Sequence, residues 1–275
     1  MFAQNPFAAL SGSLPANAMQ IYVVLMVLAV IVGTLLDMIH KGSATYFFAK
    51  ARLSRGQGKP VDTMSIAVQT AMVDVLASGE FCNPRRRVAH LLTMYGFILY
   101  VVTTAIMIFA YPTAATPTPA WVPTLWWLGA LMVAVGGYWF WFFIRVDVAA
   151  EGQSPWRLMR ADLFILSLLA SVTLALVWAG LQARGSGAAG LFFGLYLFAT
   201  TVLFGGVYWS KFAHMFFKPA AAFDKRVCEA NGTNANLPLQ SRDDPAQRER
   251  HSMELLRNAP MDMGLGIKRE APRHY

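Results

Sequence analysis

Five apolar runs, near residues 20–40, 90–111, 121–144, 162–183 and 189–216, dominate the pattern of the chain, with polar connections between them. Each is long enough to cross a bilayer, since about 20 helical residues span roughly 30 Å of hydrocarbon. Between the first two runs the pattern changes. Val61, Met64, Val68, Met72, Val75 and Leu76 recur at helical spacing, with Thr63, Ser65, Gln69, Thr70 and Asp74 between them. This predicts an amphipathic helix near 61–77, capped by Asp62 just after Pro60. It either lies on the membrane surface or packs on the bundle. Beyond Asn231 the polar composition, with scattered Pro, Asn and Gly, predicts a partly disordered tail with a short helix after Asp244. No internal repeat is evident. The chain therefore reads as all-α, an integral membrane bundle of five transmembrane helices. Its parts are an N-terminal segment 1–19, a transmembrane domain 20–217 that includes the loop 41–89, and a tail 218–275.

Composition supports a membrane solvent. Hydrophobic residues make up 56% and charged residues only 14%, against roughly a quarter charged in soluble domains. The net charge of +8 does not mark a nucleic-acid binder, because the basic residues lie between apolar runs and not on one polar face. Topology accounts for them. Of 23 Lys and Arg residues, all but Arg184 fall in the loop after the first run, the loop after the third, or the C-terminal region from Lys211 onward. The positive-inside rule then places the N-terminus in the periplasm and the tail in the cytoplasm of a bacterial inner membrane. Trp121, Trp126, Trp127, Trp156 and Trp209 lie near run ends and suggest interfacial belts. No charged residue precedes Met19, so the first run is expected to remain as a helix and not to be cleaved as a signal peptide. Cys82 and Cys228 are too few and too far apart for a disulfide framework or an iron–sulfur motif.

Candidate chemistry centres on histidine, the commonest protein ligand of haem iron. His251 and His274 lie in the polar tail. His40 ends the first run, His90 begins the second and His214 ends the fifth, so the topology brings all three to the cytoplasmic level. Two imidazoles from different helices at one depth could clamp a haem b; the alternative is a set of interfacial histidines bonded to backbone or lipid. Arg85, Arg86 and Arg87 precede His90, and Lys211 stands one helical turn from His214. Such cations suit a haem propionate or a quinone oxygen, or, for the arginines, lipid phosphates. Lys211, inside an apolar run, is the sharper candidate.

Two segments carry a family resemblance. Asn83 to Phe97, NPRRRVAHLLTMYGF, resembles the "R, then HL, then YGF" opening of a cytochrome b helix, and Tyr208 to Pro219, YWSKFAHMFFKP, is similar to the ending of the last helix in the same proteins. The start of the fourth run, Asp162-Leu163-Phe164-Ile165, also resembles them. They are the family of the respiratory nitrate reductase gamma subunit and its relatives in sulfur metabolism and heterodisulfide-type complexes. The resemblance covers most of residues 60–220 and implies His90 and His214 as haem b ligands, with His40, Lys211 and Arg87 as quinone or propionate contacts.

The chain departs from two-haem members, which place a second histidine pair in the opposite leaflet. No histidine lies between His90 and His214, and residues 190–205 offer neither His nor Met to oppose Met107. At most one haem is therefore expected, with no haem chain across the membrane and no charge separation by electron transfer through it. No cysteine-rich ferredoxin-like domain is present either. Such a short, haem-poor form looks like the membrane anchors of adenylylsulfate (APS) reductases. That resemblance implies a soluble flavin and iron–sulfur heterodimer on the cytoplasmic face, oxidising sulfite with AMP, and electrons passing to quinone. The basic loop 41–59 and the tail could dock it, or serve topology alone. The other readings are a haem-free structural anchor and a small transporter. The latter fits poorly, since Gly129, Gly136 and Gly137 read as close helix packing and not as paired helix breaks.

Overall fold

The computed structural model describes residues 2–41, 45, 47–49, 51–52, 58–79, 81, 83–145 and 154–234. Their secondary structure is entirely helical: α1 (Ala16–Lys41), α2 (Thr63–Gln69), α3 (Pro84–Phe109), α4 (Trp121–Trp139), α5 (Leu163–Ala183), α6 (Ala189–Gly205) and α7 (His214–Ala230). The chain divides into a first unit of residues 1–43 and 84–216 and a second of residues 44–83 and 217–275.

Four segments in the first unit are long and apolar enough to cross a membrane: Ala16–His40, Pro84–Phe109, Trp121–Ile144 and Arg160–Ala183. The protein is thus a multi-pass membrane protein. The last apolar run differs from the expected continuous helix through 216. It stops at Gly205, so α6 has 17 residues and a length of about 25 Å. Two consecutive glycines weaken the helix there. A Cβ on Gly206 would lie 2.4 Å from the Val202 carbonyl oxygen, so no other residue fits this turn. A 3-10 turn, Val207–Trp209, follows. The Ser210 hydroxyl then accepts from the Phe212 amide at 3.2 Å, and the chain becomes helical again only at His214.

Glycine also sets the closest helix pair. A Cβ on Gly129 would lie 2.7 Å from the Tyr100 amide nitrogen, and one on Gly136 would lie 2.8 Å from the Ala89 carbonyl oxygen. α3 and α4 therefore touch backbone to backbone, as small residues permit in membrane helices. Gly137 faces Leu169 of α5 instead, so all three glycines serve packing as their spacing suggested. Hydroxyl pairs join the neighbours: Tyr138 to Thr173 (2.8 Å) between α4 and α5, and Ser171 to Thr200 (2.8 Å) between α5 and α6.

One end of this unit is closed by the segment before α1. Asn5 donates to the Tyr111 carbonyl and to Thr118, both at 3.0 Å, and its own oxygen accepts from the Phe7 and Ala8 amides. Gln182 donates to the Pro6 carbonyl at 2.7 Å. These bonds hold Phe7 as a wedge between Trp126 (6.1 Å) and Trp178 (5.2 Å). Trp126 and Trp127 are buried inside the protein, so they do not form part of an interfacial belt; Trp121, Trp156 and Trp209 are exposed. The indole of Trp126 finds its partner internally, donating to Thr104 at 2.9 Å.

In the second unit the Asp62 carboxylate accepts from the Met64 and Ser65 amides at 3.0 and 3.2 Å, which caps α2 as expected. The helix continues as a π-helical stretch, Thr70–Leu76. Asp74 on this stretch forms a two-pronged pair with Arg226 of α7, at 2.5 and 2.9 Å. The Arg226 guanidinium holds the Asp74 carboxyl below its ordinary range by hydrogen bonding. Thr70 is buried, whereas Met64, Val68, Met72 and Leu76 are exposed as an apolar stripe. Asn231, buried at the end of α7, accepts from the Lys59 amide at 3.0 Å through its carbonyl. The expected helix after Asp244, His251, His274 and most of the basic loop lie outside the described residues.

Candidate functional site

Polar and titratable groups of the break after α6 lie beside those at the end of α1 and the start of α7. His40, near the end of α1, is exposed, and its ring stands edge-on to Tyr208 at 5.8 Å. Contact between the two segments is possible because Gly33 has no side chain: a Cβ there would lie 2.9 Å from the Val207 Cβ. Beside this contact, α1 and the break border an open groove of about 590 Å³. Its walls include Ala29, Val32, Leu36, Tyr208 and Trp209, and His40 lies on its rim.

His214 is the first residue of α7 and is half-buried. Its Nδ1 faces the Lys211 carbonyl oxygen. The ring packs edge-on to Phe164 of α5 at 5.8 Å. Lys211 itself requires correction. It lies in the break, exposed, and not one helical turn from His214 on a shared face, because the glycine pair ends the helix six residues earlier. Its contribution here is its backbone carbonyl, which orients His214.

His90 lies in the second turn of α3 and is half-buried. Arg85, Arg86 and Arg87 belong to the first turn of that helix and do not precede it; Arg85 and Arg87 are exposed. Phe97, seven residues after His90, shares its face of the helix. From there a run of rings leads to the break: Phe97 to Phe204 (6.4 Å), Phe204 to Phe212 (5.9 Å), Phe212 to Phe164 (5.4 Å) and Phe164 to His214. The structure thus places Tyr208, Lys211 and His214 on one short segment with His40 against Tyr208, while His90 lies two turns before the ring run that starts at Phe97.

Sequence reasoning passed over three features at this level. Asp37, one turn before His40, is 2% exposed within a membrane-spanning helix. A lone acid in an apolar run is costly and marks a functional site by default, so it was legible. Arg145 and Asp162 form a buried pair at 2.8 Å that joins the ends of α4 and α5. Arg145 also donates to the Arg157 carbonyl at 2.7 Å and lies 4.0 Å over the Trp141 ring. These two were seen only as topology markers and as part of a motif.

Among the described residues no cluster of three or more His, Cys, Asp or Glu could hold a metal ion; a haem iron needs only its axial ligands. No protein-family model, curated protein or solved structure matches the chain.

Proposed function

We propose that this chain is a bacterial inner-membrane anchor that relays electrons between a cytoplasmic flavin and iron–sulfur enzyme and the quinone pool. In this reading α6 and its break make a fifth crossing, the N-terminus is periplasmic and the tail cytoplasmic. The basic residues then lie at the end of the bundle that holds the three histidines. The resemblance to adenylylsulfate reductase anchors names the partner: sulfite and AMP give adenylylsulfate and two electrons, which the anchor passes on.

The observation that carries the reading is the helix break. It presents His40 and His214 at one end of an apolar bundle. The residues that would hold one haem b are His90 and His214, with Arg87, one turn before His90, as the cation that would pair with a propionate. Bound there, haem would supply a one-electron relay. The protein's own part is to hold two imidazoles at one level and to keep water out with the phenylalanine run.

A haem-free structural anchor is the second reading. It is favoured by that same run of rings, which fills space between α3 and α6 with protein. A pyridine haemochrome assay on the protein purified from native membranes separates the two. One haem per chain, lost in His90→Ala and His214→Ala, supports the relay. Zero haem with the partner enzyme still co-purifying supports the structural anchor, and two haems per chain would overturn the ligand assignment. Co-purification of a different flavoprotein would overturn the adenylylsulfate partner.

A further inference from the structure

In the second unit, α2 and its π stretch are amphipathic the wrong way round for water. The polar side is the one packed on protein: Thr70 is buried, and the Asp74 side chain is 14% exposed where it pairs with Arg226 of α7. The apolar side faces out. Met64 is 72% exposed and Met72 58%, with Val68 and Leu76 also exposed on the same stripe. The π turn keeps that stripe straight. A spacing of four residues overshoots an α turn of 3.6, so these side chains would drift round a pure α-helix. From Thr70 to Leu76 the wider π turn drifts the other way and brings Met72 and Leu76 back into line with Met64 and Val68. We infer that this stripe is seated in the interfacial layer of the bilayer that the long helices cross, against the glycerol and upper acyl region of its phospholipids.

Three observations select lipid as the occupant. Chain continuity comes first: Leu76 stands eight residues before Pro84, where a membrane-spanning segment begins, and eight residues reach at most about 28 Å. The stripe is therefore held close to the membrane surface. Charge comes second. Asp74 is the one charged residue between Thr63 and Leu76, and its carboxylate is taken up by the Arg226 guanidinium. The outward side thus carries no charge to oppose contact with acyl chains, nor one to match a charged protein surface. Third, two of the four stripe residues are methionine, whose unbranched thioether adapts to a fluid layer. Through Asp74 and Arg226 the seat is passed to α7, which is then tied to a helix lying in the plane of the membrane. This seat needs only a bilayer and stands whether or not the chain carries electrons.

The test is fluorescence of the full chain in phosphatidylcholine vesicles. Cys82→Ser and Cys228→Ala remove the native thiols, and an NBD probe is placed on one introduced cysteine. At Val68→Cys and Met72→Cys, lipid brominated high in the acyl chain should dim the probe about twofold, because an interfacial helix sits roughly 5–10 Å into the headgroup and acyl boundary. Aqueous iodide should not reach it there. Ser65→Cys, on the exposed flank of the stripe, should stay open to iodide. Iodide quenching at Val68 and Met72 would leave the stripe in water, and shielding from both quenchers would mean that protein covers it; either result overturns the seat. Since Thr63–Leu76 carries no Lys or Arg, lipid quenching should be equal in neutral and anionic vesicles. Quenching confined to anionic vesicles also overturns the seat, because basic segments elsewhere would then hold the unit at the surface. Finally, Val68→Asp with Met72→Asp, at positions exposed in the fold, should remove most of the lipid quenching read at Met64→Cys; unchanged quenching there counts against the stripe as the contact.

Discussion

The two ends of the helical bundle are built from different chemistry. At the end closed by the N-terminal segment, the polar groups are amides and hydroxyls paired with one another. Tyr100 donates to Tyr196 at 3.2 Å, Trp178 stacks on Tyr196 at 5.7 Å, and Asn5 and Gln182 tie the wedge in place. At the other end the polar groups are ionisable: Asp37, His40, Arg145, Asp162, Lys211 and His214. A filled interior with neutral partners leaves nothing to bind or titrate. A broken helix with charged and imidazole groups does. The difference teaches that the bundle keeps its ionisable side chains at one end, while Phe7, Trp126 and Trp178 fill the other ring against ring.

The contrast can be broken by mutation. Trp178, fully buried among rings of α6 and the wedge, is the largest test: Trp178→Ala should cost about 3–5 kcal/mol, read as a fall in unfolding midpoint. The haem content of the surviving folded protein should not change; a loss would show that the two ends are not separate. Arg145→Met should cost about 3 kcal/mol, because it strands the largely buried Asp162 carboxylate. The double change Arg145→Met with Asp162→Leu should recover much of that loss, measured by the same unfolding midpoint.

Asp74→Ala acts outside both ends and serves as a control. Loss of its pair with Arg226 should cost about 2 kcal/mol of local stability, seen as faster amide exchange over residues 63–76. The sign with pH follows from the lowered carboxyl pKa. The pair contributes fully above the unfolded value near 4 and is lost as pH falls below it toward the folded value. The protection factor over 63–76 should therefore fall from pH 7 to pH 3 more in the native chain than in the Ala variant. The smallest effect is expected from Asn5→Ala, about 1 kcal/mol, with proteolysis of residues 1–14 as the sensitive readout.

Much of the architecture was legible because apolar run length and period report directly on helices in lipid. Asp62 as a cap and the packing glycines followed from local rules alone. The break was not foreseen, although Gly205 and Gly206 stood in plain view: hydropathy stays high through Trp209, and run length hides a turn that backbone geometry imposes. Lys211 was misplaced for that reason. Trp126 and Trp127 were misassigned because sequence cannot tell which face of a helix meets lipid and which meets the wedge around Phe7. For the histidines, the sequence predicted a shared level; only the structure showed the Lys211 carbonyl beside the His214 ring.

The seam where Gly96 and Gly129 meet has a consequence for assembly. A contact made by bare backbone has no rotamers to freeze, so its conformational cost is small. Only residues 110–120 separate α3 from α4, and the pair can close as a hairpin on entering the bilayer. The hairpin then offers a finished surface on which the later crossings are laid down. Biogenesis would start in the middle of the chain, with α1 joined to α3 through Gln20 and Ile108 and completed by α6, whose Leu197 carbonyl accepts from Tyr22.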